Sequence, residues 1–228
     1  ACALRGGEGH TAIMARSRGL PAVRGVGGLI GGVQSGAAVI VDGSNGVVIV
    51  NPSPACLKDY EHRRKLLERE TQALGRLRKV APVTRDGTRV TLHANLGLPR
   101  EVSQAVAAGA EGIGLLRTAL LSMNREDLPS EDDQTEALSQ IIAAMPGSPV
   151  TVRTLDLGGE KLAIALGNHI PETANPALGL RAIRLLLKER KLLETQLAAI
   201  LRAGAHGQLR ILLPMISNVG EVQEVRRV

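Results

Sequence analysis

Apolar and polar positions change rhythm twice along the chain. In residues 1 to 53 the runs are short. Thr11 to Arg18 predicts a brief helix stopped by Gly19 and Pro21, and "PAVRGV" (21–26) a short strand. "AAVIVDGSNGVVIV" (37–50) predicts two β-rich runs around a turn at Asp42 to Gly46, with Asn45-Gly46 its strongest signal. Between them "GVGGLIGG" (25–32) does not fit GxGxxG and reads as a flexible turn. Pro52 and Pro54 break the chain. Residues 55 to about 80 follow as a charged helical segment in which Leu57, Leu66, Leu67, Leu74 and Leu77 recur irregularly, ended by Pro82. The segment reads as a connector helix.

From residue 83 strand and helix patterns alternate. "RVTLHANL" (89–96), "EGIGLLRT" (111–118), "VTVRTLDL" (150–157) and "LRILLPMI" (209–216) read as strands. "PREVSQAVAAG" (99–109) is a helix with Pro99 at its start and Gly109 past its end. Ser130 caps the next helix with Asp133 three residues on, and Leu138, Ile141, Ile142 and Met145 line its buried side. Residues 178 to 204 predict two helical segments stopped at Gly204 or Gly207, and "VGEVQEVRRV" (219–228) opens a fourth helix. Four β–α units in this rhythm imply a parallel sheet. They amount to half of an eight-fold barrel, which typically takes about 250 residues.

Composition adjusts this picture in three ways. The 228 residues are 44% hydrophobic, but they include one Tyr, no Phe and no Trp. The core must then be aliphatic. The formal net charge of +6 favours an anionic partner without choosing one. Nucleic-acid binding usually adds stacking aromatics, and the densest basic run, "HRRKLLERETQALGRLRK" (62–79), is broken by Glu68 and Glu70 like a solvated helix face. Cys2 and Cys56 form neither a disulfide framework nor CxxC, which suits a reducing cytosol. No apolar run reaches the ~20 residues that span a bilayer, and no secretory signal pattern is present. The chain opens at a motif and stops inside a helical pattern, so it is expected to be a fragment of a longer protein.

The strand ends carry the candidate chemistry. One ends in Arg117-Thr118, the next in Arg153-Thr154 followed by Asp156, and the first in His93, Asn95 and Gly97. Two arginines closing adjacent strands can aim forked donors at one phosphate or carboxylate. The alternative is local pairing with Glu111 or Asp156. His10 opens the first helix, where free N–H groups and the dipole suit a phosphoryl group. A neutral imidazole there can take phosphate on nitrogen. The alternative is a capping or surface histidine. No second ligand stands at helical spacing from His10, so a metal site is not expected there. His62, His93, His169 and His206 show no partner pattern.

These residues together resemble the phosphoenolpyruvate-utilising family, and within it the enzyme I group of sugar phosphotransferase systems. "GHTAIMARSRGLPAV" (9–23) is similar to the phosphohistidine signature. "GAEGIGLLRT", "MNREDLPSEDDQ", "VTVRTLDLGGEK", "NPALGLRAIR" and "LRILLPMIS" are similar to successive blocks of the family's barrel. The resemblance implies an α/β chain in three parts. Residues 1–53 would be part of a swivelling phosphohistidine domain, 54–82 a linker helix, and 83–228 the first half of a (β/α)8 barrel that binds phosphoenolpyruvate. It implies that His10 receives the phosphoryl group and passes it to the carrier protein HPr. Arg117 and Arg153 would hold the substrate, Arg181 would add a third cation, and Lys161 and Asp156 would support them. It also implies Mg2+, with its ligands and a proton-donating cysteine beyond residue 228. The complete protein would be a cytoplasmic homodimer with no nucleic-acid or membrane partner, and the fragment alone would turn over little.

The family usually carries Thr or Ser, then Ser or Gly, just before the histidine; here Glu8 and Gly9 stand there, and the loop is one residue short. The sequence departs again at Ala119-Leu120-Leu121-Ser122, where Glu and aromatics usually follow "LLRT". Related alternatives are a pyruvate phosphate dikinase or phosphoenolpyruvate synthase, and a nitrogen-type or multidomain phosphotransfer protein. A basic binding module without catalysis is the alternative from another class.

Overall fold

The computed structural model describes residues 15, 19–118, 128–156, 175 and 178–228. The expected helix over Thr11 to Arg18 lies outside them except for Ala15, as do His10, Glu8, Ala119, Lys161 and His169. The chain divides into two units, Ala1–Arg78 and Lys79–Val228.

In the first unit "PAVRGV" does not form a strand. It is extended, with a single bridge residue at Arg24. Gly25, at φ 69°, turns the backbone out of the β region before a ladder can grow. The glycine-rich stretch is not all turn, since Leu29–Gly32 closes one helical turn (α1). Strands β1 (Val39–Asp42) and β2 (Val47–Val50) pair antiparallel, Val39 opposite Val50 and Asp42 opposite Val47. Their turn is knotted by Asp42. Its Oδ1 accepts from the N–H groups of Ser44 and Asn45 at 3.1 and 3.0 Å, and its Oδ2 from Asn45 Nδ2 at 2.7 Å. The Asn45 side-chain bond, first among these, holds the Asp42 carboxyl below the usual range.

Helix α2 (Pro54–Gly75) begins where Ser53 accepts the Cys56 N–H at 3.2 Å, with proline in the first turn. It buries no residue, as the interleaved charges predict. Its exposed face is laced by local pairs, such as Arg63 to Asp59 at 2.9 Å, and Arg63 also lies 4.9 Å over the Tyr60 ring. A 3₁₀ turn, Arg76–Lys79, ends it.

The second unit is a parallel α/β layer. Strand β3 (Ala94–Leu96) is much shorter than the eight-residue pattern suggested. The N–H of Leu92 is taken by the Glu111 carboxylate at 2.9 Å, and Arg89 pairs with the same carboxylate, so the regular ladder starts only at Ala94. A 3₁₀ turn, Pro99–Glu101, leads into α3 (Val102–Ala108), which ends at Gly109 with φ 85°. Then come β4 (Ile113–Arg117), α4 (Glu131–Ala143) and β5 (Val150–Arg153). Helices α5 (Ala182–Lys188) and α6 (Arg190–Ala203) precede β6 (Leu209–Leu212) and α7 (Val219–Val225). The capping box predicted for α4 is present. Ser130 Oγ accepts the Asp133 N–H, and Asp133 Oδ2 the Ser130 N–H, each at 3.1 Å.

The sheet runs β3-β4-β5-β6, all parallel. Its apolar layer joins Leu96, Ile113, Leu116, Val150 and Val152 to Val102 and Ala105 of α3, Leu138, Ile141 and Ile142 of α4, and Ile200 and Ala203 of α6. The packing is close. A Cβ on Gly112 would stand 2.7 Å from the Pro149 carbonyl oxygen. A second aliphatic cluster gathers Leu155, Ile183, Leu186, Leu193 and Val225. No aromatic side chain takes part in either cluster.

Candidate active site

Alternation along the strands decides where the arginines go. Leu116 and Val152 face the helices, so the next residues, Arg117 and Arg153, fall on the opposite face of the sheet. They are direct neighbours, because the register of β4 and β5 pairs Arg117 with Arg153. The two guanidinium groups therefore leave adjacent strand ends on one side, as the strand-end pattern predicts.

Arg153 and Arg181 meet at one carboxylate. Asp156 Oδ1 accepts from Arg181 Nε at 2.9 Å and from Nη2 at 2.8 Å, while its Oδ2 lies 3.8 Å from Arg153 Nη1. The carboxylate side chain is only 12% exposed, and the two arginines 23% and 26%. Arg181 reaches it from the residue that caps α5, and Ala182 after it is held at φ 49°. That left-handed conformation is costly for a residue other than glycine, a local strain typical of functional sites.

Local pairing accounts for part of this arrangement. Asp156 does pair with Arg153 as one alternative supposed, but its tighter bonds go to Arg181. Glu111 pairs with Arg89 rather than with Arg117. Among the described residues, Arg117 has no hydrogen-bonding or ion-pair partner, and the buried Nε of Arg153 and Oγ1 of Thr154 have none either. Two guanidinium groups thus share one carboxylate while Arg117 stands beside Arg153 in the next strand, leaving excess positive charge and unused donors at the strand ends. Such a place can hold a small, multiply charged anion through forked hydrogen bonds.

Two polar residues brace these strand ends: Thr118, noted in the sequence only as the neighbour of Arg117, and Gln196, which sequence reasoning passed over. Gln196 of α6 is 4% exposed and accepts the Leu155 N–H at 2.8 Å. Its Nε2 donates to Thr118 Oγ1 at 3.3 Å, and Thr118 donates to the Arg153 carbonyl at 2.9 Å. The available signal was a glutamine on the apolar stripe of Leu193, Ala199, Ile200 and Ala203. His93, the other histidine near a strand end, packs its Cβ where a Cβ on Gly114 would stand, 2.9 Å away, and its Nε2 is buried without a partner among the described residues.

A magnesium ion does not fit what is described. No group of three or more His, Cys, Asp or Glu residues that could hold a metal occurs among the described residues. Both oxygens of Asp156 already face guanidinium groups. No helix among the described residues is long and apolar enough to cross a membrane.

Known proteins bear directly on this arrangement. The family model described as "PEP-utilising enzyme, PEP-binding domain" matches residues 71–228, and "PEP-utilising enzyme, mobile domain" matches residues 2–46. Over 98% of its length the chain is 46% identical to proteins named phosphoenolpyruvate-protein phosphotransferase from Bacillus sp. (strain S) and Geobacillus stearothermophilus. It is 43% identical, again over 98% of its length, to the protein of that name from Bacillus subtilis (strain 168). The chain spans 38% to 39% of the length of these relatives. With one family model covering all of the parallel α/β unit that carries the arginines, the chain belongs to the phosphoenolpyruvate-utilising enzymes.

Proposed function

We propose that the chain is part of a phosphoenolpyruvate-protein phosphotransferase, in which His10 accepts the phosphoryl group and delivers it to an HPr-type carrier protein. The observation that carries this reading is the placement of Arg117 and Arg153 side by side at the ends of β4 and β5, with Arg181 joined to Arg153 through Asp156. Phosphoenolpyruvate presents a phosphate and a carboxylate a few bonds apart. Two or three guanidinium groups suit both anions and offset their repulsion toward an incoming nucleophile.

The step balances once a proton donor is added, the part the family resemblance gives to a cysteine beyond residue 228. A ring nitrogen of neutral His10 attacks phosphorus, an N–P bond forms, and the bond from phosphorus to the enol oxygen breaks. The enolate of pyruvate leaves and takes up a proton at carbon. Arginines around the phosphoryl group gain most when charge spreads over its oxygens, which is where they lower the barrier. Magnesium, which the family resemblance implies, would add charge neutralisation. In this reading its ligands lie beyond residue 228, and no step here runs through it.

In this reading residues 1–53 form part of the mobile phosphohistidine domain, 54–82 the linker helix, and 83–228 the first half of a phosphoenolpyruvate-binding barrel. Lys161 joins the supporting shell. The complete protein is a cytoplasmic homodimer.

The test uses the complete gene product. Incubated with radiolabelled phosphoenolpyruvate and magnesium, it should acquire acid-labile, base-stable label and pass that label to HPr. His10→Ala should abolish labelling. Arg117→Ala and Arg153→Ala should slow it by orders of magnitude while the protein stays folded. Label that survives His10→Ala would move the acceptor elsewhere, and labelling that requires ATP instead would point to a dikinase or synthase.

A further inference from the structure

Gln196 puts an amide inside an aliphatic layer, where it must find partners. All of its described partners lie at the strand ends that carry the arginines. The Leu155 N–H can only donate, so it fixes the amide with Oε1 toward the end of β5. Nε2 is then left to donate to Thr118 Oγ1, and the Thr118 hydroxyl to donate onward to the Arg153 carbonyl. The bonds from amide to hydroxyl to carbonyl run in one direction, each polarising the next. Thr118 follows Arg117 directly, and the final acceptor belongs to Arg153 itself. The last register pair between β4 and β5 is Arg117 with Arg153. Just beyond it, the Thr118 hydroxyl replaces a backbone rung, and Gln196 holds that hydroxyl from behind the sheet.

We propose that Gln196 is a positioning residue for anion binding. Acting through Thr118, it locks the ends of β4 and β5 in register, so that Arg117 and Arg153 present their guanidinium groups to the same phosphate or carboxylate. It touches no ligand. The inference rests on reading these arginines as a phosphoenolpyruvate clamp. A buried amide with a purely architectural role would affect melting and leave the arginines as they are.

The experiment compares Gln196→Met, Thr118→Val, their double variant and Thr118→Ser with the unchanged chain. Ile200→Val serves as a core variant away from the hydrogen bonds. Two properties are read well below the melting temperature: the dissociation constant for phosphoenolpyruvate by calorimetry, and the nitrogen-15 Nε–H resonances of Arg117 and Arg153 without ligand. Gln196→Met and Thr118→Val should each weaken binding by about ten- to a hundredfold, the range for small misplacements of a binding group. The double variant should bind no worse than the weaker single one, and Thr118→Ser should recover most of the loss. The Arg153 resonance should move in Gln196→Met and Thr118→Val but not in Ile200→Val.

Unchanged affinity and unchanged resonances in Gln196→Met, with only the melting temperature lowered, would overturn the proposal. If the unchanged chain shows no affinity that Arg117→Ala or Arg153→Ala removes, the clamp reading fails, and the arginine resonances alone decide the role of Gln196. Should Gln196→Met fail to fold, Thr118→Val against Thr118→Ser carries the same comparison.

Discussion

Replacing Asp156 by asparagine keeps the shape of the side chain and removes its charge. In the folded chain one carboxylate oxygen accepts two N–H groups of Arg181 at 2.9 and 2.8 Å, and the side chain is 12% exposed. An asparagine oxygen can still accept both, but as a neutral group. The bonds keep a charged donor, so what is lost is the negative charge between two part-buried guanidinium groups. Losing one partner of a fully buried pair costs roughly 3–5 kcal/mol, and this part-exposed, shape-conserving change should cost about 2 kcal/mol. The 3.8 Å contact to Arg153 is too long to add a bond of its own. For a unit of this size the melting temperature should fall by about 4–8 °C, read by circular dichroism at 222 nm. A cycle with Arg181→Met should return a coupling of about 2 kcal/mol. Anion affinity should move the other way. The carboxylate competes with any incoming anion for the same guanidinium groups, so Asp156→Asn should bind inorganic phosphate more tightly than the unchanged chain. A melting temperature unaffected by Asp156→Asn, together with a coupling near zero, would refute the idea that this carboxylate organises the arginines.

Three further outcomes are expected. Ser130→Ala removes the acceptor for the Asp133 N–H and should cost about 1 kcal/mol in chemical denaturation, with Ser130→Asp close to the unchanged chain. Gly112→Ala forces a methyl group to within 2.7 Å of the Pro149 carbonyl oxygen and should destabilise by about 1–3 kcal/mol; a neutral result would mean that the β4–β5 approach is looser than described. The Leu92 N–H, then Arg89, hold the Glu111 carboxyl below its usual range. Its contribution to stability is therefore full above the ordinary glutamate value of about 4.3 and is lost as pH falls through the lower folded value. Glu111→Gln should flatten that acid limb in urea titrations at several pH values while leaving stability near pH 7 less affected than Arg89→Ala would if the ion pair dominated.

Patterning made much of the second unit readable because several helices there carry recognisable start or stop signals. Ser130, Pro99 and Gly109 stand where the capping rules put them, and the apolar positions of α4 face the sheet. The strand-end rule also placed Arg117 and Arg153 side by side, although simple alternation along β4 does not reach that far, because the register shifts between Ile113 and Leu116 and puts both on the core face. The failures share a cause. "PAVRGV" and the first half of "RVTLHANL" have strand-like residues, but tertiary partners outrank propensity there. Gly25 turns one of them aside, and Glu111 captures a ladder N–H of the other. Gln196 was invisible for the same reason. A glutamine on an apolar stripe reads as noise until its partners, 41 and 78 residues away in sequence, are brought beside it. The Asp156–Arg181 bond likewise spans 25 residues, and no local spacing rule reaches that far.

Tyr60 is the sole aromatic side chain of the whole chain, and it sits on a helix of the first unit beneath Arg63. Intrinsic emission and near-ultraviolet ellipticity thus originate almost wholly from that helix, and the parallel sheet unfolds with no optical marker of its own. Tyrosine emission and far-ultraviolet ellipticity followed on one heated sample would time the two units separately, with no label introduced.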